Sequence, residues 1–222
     1  MRRAAIVLGA LAFAGALASA LLALPPAPVS LPPAVAAKMD VSGVSHPVTA
    51  VLLNFRGYDT LLEVAVLLLA LLGVLAIGRE DRIVRGRHVE RIEPVVAMLA
   101  RLGVPLMLLV GIYLLWAGAH RPGGAFQAAA VIAAAAVLLN LARLTPAWTQ
   151  APGVRLRWGL TGGLLVFAGI AAMLLTGGTL LAFPPARAGL LILVIESALT
   201  VSLGLILAGL FLFLSEDRGG RP

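Results

Sequence analysis

The stretch "NFRGYDTLLEVAVLLLALLGVLA" (Asn54–Ala76) sets three charges, Arg56, Asp59 and Glu63, at the mouth of an apolar run that meets no further charge until Arg79. Its apolar part is long enough for a helix to cross a bilayer core of about 30 Å, which takes roughly 20 residues. The local pattern also predicts a helix start. Thr60-Leu61-Leu62-Glu63 has the spacing of a capping box, Asp59 suits the positive end of a helix, and Arg56 is close enough to pair with Asp59. A cap needs no carboxylate one turn inside a membrane, however. Glu63 therefore has two readings, as a cap or as part of an ion path.

The rest of the chain supports the membrane reading. Of its 222 residues 61% are hydrophobic and only 12% charged, whereas soluble domains are about a quarter charged. Apolar runs of spanning length lie near Ala4–Leu24, Tyr58–Ile77, Val95–Ala119, Ala125–Ala142, Trp158–Leu175 and Ala188–Leu214. The expected fold is an all-α integral membrane protein with about six transmembrane helices. No mid-membrane Pro/Gly break is expected in them.

The net charge of +7 is carried by sixteen Arg and the single Lys38. With a cytoplasmic N-terminus, inner segments hold Arg2, Arg3, Arg79, Arg82, Arg85, Arg87, Arg91, Arg143, Arg155, Arg157, Arg218 and Arg221. Outer segments hold only Lys38, Arg56, Arg121 and Arg187. That asymmetry predicts both termini inside and is a topology signal, not a nucleic-acid face. "MRRAAIVLGALAFAGALASA" (Met1–Ala20) also fits a cleavable signal peptide, with Ala18-Ser19-Ala20 as the cleavage pattern. After it comes a proline-rich outer loop. Val48–Phe55 is too short to span and is expected as an interfacial helix, turned at Gly57 into the second span.

Soluble catalytic signatures are missing: there is no P-loop, HExxH or GxSxG. With no cysteine and with His46, His88 and His120 scattered, no metal site or cofactor is expected. Ionisable groups inside spans remain, and these are functional candidates by default. Glu196, in "LLILVIESALTVSLG" (Leu190–Gly204), has no charge for eight residues before it and nineteen after. It reads either as a group on a proton or cation path or as a protonated carboxyl bonded to a neighbouring helix. Thr200 shares its face at i+4. Arg101 can snorkel to headgroups. Glu90 and Glu93 precede the third span, with Pro94 at its first position. In "HRPGGAFQ" (His120–Gln127), Gly123 and Gly124 allow a tight reversal after Pro122, Phe126 anchors the next helix, and Gln127 is a polar group just inside it. Small faces at Ala10, Ala14, Gly159 and Gly163 suit helix packing.

Taken together, these motifs carry a family resemblance. "FRGYDTLLEVAVLLLALLGVLA" resembles the membrane segment at the end of MrpA, the large subunit of Mrp-type multisubunit Na⁺/H⁺ antiporters. That segment stands alone as the small subunit MbhE in membrane-bound hydrogenases. "YLLWAGAHRPGGAFQAAAVIAAAAVLLNL" and "LLILVIESALTVSLG" resemble MrpB (also called MnhB) of the same antiporters. The resemblance implies an MbhE-like two-helix segment over 1–92 and an MrpB-like four-helix domain over 93–222. It further implies an accessory role in a bacterial inner-membrane complex for sodium and proton antiport. Its partners would be other subunits, Na⁺, H⁺ and the lipid bilayer, with any redox catalysis on other chains. Glu63, Glu196, Asp59 and Thr200 become the ion-path candidates. A hydrogenase-like redox complex, or a scaffold without an ion path, are the alternatives.

Overall fold

The computed structural model describes residues 2–25, 30–81, 94–144, 153–178 and 180–215. It is helical, with no strand among the described residues. The elements are α1 (Arg2–Leu22), α2 (Leu31–Ala36), α3 (Met39–Ser42), α4 (Pro47–Thr49), a π-helical turn (Ala50–Phe55), α5 (Gly57–Asp81), α6 (Pro94–Ala117), α7 (Ala125–Leu141), α8 (Val154–Leu175) and α9 (Pro185–Ser215). Each expected span is a helix. Four of them, α5, α6, α8 and α9, are long and apolar enough to cross a membrane, while α1 and α7 are shorter apolar helices. Two compact units are present, Met1–Ala37 and Lys38–Pro222. The expected 92/93 division lies outside the described residues, as do His88, Glu90 and Glu93.

The first unit consists of α1 and α2. Ala10 and Ala14 are exposed on α1, so neither packs within that unit.

In the second unit α9 is the central helix. It packs against α5, α7 and α8, and α6 packs on α7. Half of the membrane-length window of α9 is buried, against 17–22% for the other three long helices. Leu199, Leu203 and Ile206 of α9 are fully enclosed and meet Phe167 of α8 and Val64 and Leu71 of α5. Lipid tails are as apolar as leucine, so close backbone approach and hydrogen bonds must hold such helices together. Gly163 provides the approach: a Cβ there would stand 2.6 Å from the Ser202 Cβ and 3.1 Å from the Leu199 Cα. One turn earlier the Ser202 hydroxyl donates to the Leu160 carbonyl across the α8–α9 contact.

One local expectation is corrected, and another needs a qualification. Pro105 lies inside α6, but the helix continues through it, so the proline makes no break. Membrane helices tolerate this where neighbours re-satisfy the freed carbonyl. The capping box does not form. Because α5 begins a turn earlier, at Gly57, Thr60 is already inside the helix and its hydroxyl donates to the Leu52 carbonyl at 2.6 Å.

Helix lengths position the site. The 17 residues of α7 rise only about 25 Å, at 1.5 Å per residue. The 31 residues of α9 rise about 46 Å by the same measure. The turn entering α7 therefore sits well below the Pro185 end of α9. The space above it is filled by residues 38–55: Gly43 lies against Pro185 and Ala188, and Ala50 and Leu53 are buried. The expected interfacial segment is thus a roof folded onto the bundle.

Candidate functional site

The α6–α7 hairpin is built on glycine. A Cβ on Gly118 would stand 2.6 Å from the Gly124 Cα, and one on Gly123 would stand 2.5 Å from the Leu114 carbonyl oxygen. Gly124 has φ +108°, in the left-handed half of the map where side chains are strained. The Gly124 N–H donates back to the Leu114 carbonyl at 2.9 Å. Phe126 is half-buried against the core, as expected of an anchor. Gly118, which lies just outside the His120–Gln127 motif, is as tightly placed as the Gly-Gly pair.

A helix that starts at such a turn presents unsatisfied N–H groups. Gly124 is the N-cap of α7 and has no side chain to offer. Glu196, only 7% exposed, takes the role from α9: its carboxylate accepts a hydrogen bond from the Ala125 N–H. The packing is close, since a Cβ on Gly124 would stand 2.6 Å from Glu196 Oε1. Glu196 is the twelfth residue of α9, about 16 Å along it. The two conspicuous features in this half of the chain, the Pro-Gly-Gly hairpin and the helical glutamate, are therefore one site.

Beside the carboxylate lies a small cavity, with ≈ 20 Å³ open to the centre of a water-sized sphere. Glu196, Gln127, Thr49 and Thr60 line it, with Leu52 and Phe126 among the apolar walls. Thr49 and Thr60 are buried, at 6% and 3% exposure. Both hydroxyl protons are committed, Thr49 donating to the Gly118 carbonyl at 2.6 Å and Thr60 to that of Leu52. A wider groove of ≈ 440 Å³ runs between α7 and α9, but its walls, including Ala133, Val137, Leu207 and Phe211, carry no polar side chain. Chemistry therefore belongs to the smaller cavity.

The other expected candidates fall elsewhere. Thr200 is buried beside Glu196, but its hydroxyl donates to the Glu196 backbone carbonyl at 2.7 Å. Asp59 is held by Arg56 in an exposed ion pair, with Nε to Oδ2 at 2.6 Å. Glu63 is exposed on the flank of α5, between exposed Leu62 and Val66. His120 shares a hydrogen bond with the Ser45 hydroxyl at 3.2 Å through Nδ1, and Ser45 also donates to the Ala119 carbonyl at 2.7 Å. The polar roles of Thr49 and Thr60 in the cavity are not among the sequence-based expectations. A threonine within the otherwise largely apolar run Val48–Phe55 is the signal that points to Thr49.

No curated protein matches the chain in sequence. Among solved structures it is similar to a chain of the membrane-bound sulfane sulfur reductase (MBS), an archaeal respiratory membrane complex, at 26% identity and TM-score 0.72, over 96% of this chain and 97% of that one. It is also similar to a chain of the Mrp complex from Dietzia sp. DQ12-45-1b, at 24% identity and TM-score 0.69, over 100% of this chain but 27% of that one, a likeness of fold. Residues 95–215 match the family described as "Domain related to MnhB subunit of Na+/H+ antiporter". That is more than half of the chain and includes the whole hairpin and Glu196, and the chain belongs to this family.

Proposed function

We propose that this chain is an accessory membrane subunit of a Mrp-type cation/proton antiporter complex, and that Glu196 stands on its ion path. The observation that carries the reading is a carboxyl group buried mid-helix against the hairpin of the family-matched segment, with a small cavity at its side that Thr49, Thr60 and Gln127 also line. A buried ionisable group in a span costs about 2.5–3.5 kcal/mol on insertion scales and is retained where it acts. Residues 1–92 form the MbhE-like part and 93–222 the MnhB-like part, with both termini in the cytoplasm of a bacterial cell. Glu63, exposed within a span, faces a partner protein rather than lipid, for the same energetic reason. Na⁺ and H⁺ are the ions served.

A second reading has a specific observation behind it. The chain corresponds to nearly all of one chain of a respiratory complex, but to about a quarter of the Mrp chain it resembles. On that reading it is a membrane module of a redox-linked pump whose catalysis lies on other chains. Purification from gently solubilised membranes with a tag after Asp217, followed by mass spectrometry, separates the two. Antiporter-type subunits support the first; iron–sulfur or metal-enzyme subunits move the chain to the second.

The ion-path claim is tested by Glu196→Gln in everted vesicles. Glutamine keeps an acceptor for the Ala125 N–H, so the cap survives, but it cannot exchange a proton. Na⁺-dependent ΔpH is expected to collapse while assembly persists. Intact antiport would leave Glu196 as a helix cap alone.

A further inference from the structure

We propose that the cavity between Glu196, Thr49 and Thr60 holds one water molecule that passes protons to and from Glu196, so that the ion handled here is H⁺ and not Na⁺. The inference rests on the ion-path reading above and deepens it.

Size and polarity both point to water. A water needs roughly 10–15 Å³ of such space and 2–4 polar partners, and the cavity offers ≈ 20 Å³. The Thr49 and Thr60 hydroxyls have donated their protons to the Gly118 and Leu52 carbonyls, so their oxygens keep only acceptor capacity, and both residues line the cavity. The Glu196 carboxylate, with one lone pair taken by the Ala125 N–H, supplies a third acceptor. Three buried acceptors around a one-water space call for a small occupant rich in donors, which water and hydronium both are.

A metal cation fits poorly. Hard cations such as Ca²⁺ gather 6–8 oxygens, whereas the oxygen-bearing side chains on this lining are Thr49, Thr60, Gln127 and Glu196, which offer five side-chain oxygens at most.

The proton balance is simple. A hydronium in the cavity gives one proton to a Glu196 oxygen, leaving water and a neutral carboxyl. The reverse step returns the carboxylate and sends the proton outward. Thr49 and Thr60 hold the water and take no proton. Both belong to residues 47–60, outside the family-matched segment, so the proton site of the MnhB-like part is completed by the chain that precedes it.

The test uses the intact complex. Cryo-EM at a resolution that shows waters should reveal one density within hydrogen-bond distance of Glu196 and at least one of the two threonines. A dry cavity, or a density ringed by five or more oxygens, overturns the proposal. In vesicles, the double variant Thr49→Val/Thr60→Val should slow proton flux about tenfold, since the water loses two of its acceptors. Thr49→Ser/Thr60→Ser, which keeps both oxygens, should restore it. If Glu196→Gln is silent, the ion-path reading itself falls. If Glu196→Gln is inactive while the valine pair runs at full rate, only the water relay falls. If the valine pair does not assemble, the density decides.

Discussion

Glu196 and Glu63 are both carboxylates in helices long enough to span a membrane, and the fold treats them oppositely. Glu196 is enclosed by its own chain, with an N–H from α7 on its carboxylate and buried Thr49 and Thr60 lining the small cavity beside it. Glu63 is exposed on α5 between Leu62 and Val66. The first is enclosed within the chain, whereas the second is left exposed by it and, on the function proposed above, is covered by a partner. A membrane charge can thus be satisfied by its own fold or can specify where the next protein goes.

The comparison breaks hardest at the hairpin. Gly118→Ala drives a Cβ onto the Gly124 backbone, which cannot move without opening the turn, and overpacking of this kind costs about 1–3 kcal/mol or more. The expected outcome is loss of monodisperse complex on size exclusion, because the site of Glu196 is dismantled. Glu196→Ala comes next. It orphans the buried Ala125 N–H, a loss comparable to removing a helix cap, about 0.5–2 kcal/mol. Thermal melting in detergent should fall by several degrees, while Glu196→Gln melts close to the parent. Equal melting of Ala and Gln variants would show that the carboxylate does not cap α7.

Glu63→Gln sharpens the other side. No loss of thermal stability is expected in the isolated chain, since none of its own described packing encloses this side chain. In the complex, antiport should fall while the partners still co-purify. Destabilisation of the isolated chain would refute the assignment of Glu63 to a neighbour. Asp59→Asn is the smallest change. The Arg56–Asp59 pair is exposed at 66% and 46%, and such pairs are worth about 1 kcal/mol or less. Its melting temperature and transport rate should stay near the parent values.

Much of this fold is legible in the residue pattern, because spans are long, apolar and bounded by glycine, proline and arginine. The expected limits of α5 to α9 differ from the observed ones by only a few residues, and Pro94 opens α6 as its rigid φ favours. The Thr60 capping box misleads because local spacing cannot reveal where a neighbouring carbonyl will be. Leu52 arrives from the roof, and its carbonyl wins the hydroxyl. Pro105 falls inside the expected span Val95–Ala119, and only the structure shows that the helix runs through it unbroken.

Residue order alone is enough to make this a helical membrane protein with isolated carboxylates in its spans, and it carries the motifs of its family. Hydrophobic length and charge cost are properties of residue type, so no contact needs to be known to read them. The union of the hairpin with Glu196 in one site, and its roof of residues 47–60, emerge only when the helices are packed. Those facts follow from the short α7, which leaves its N-terminal N–H groups recessed beside α9. A recessed donor must find an acceptor in space, and residues 71 positions apart, Ala125 and Glu196, meet to satisfy it.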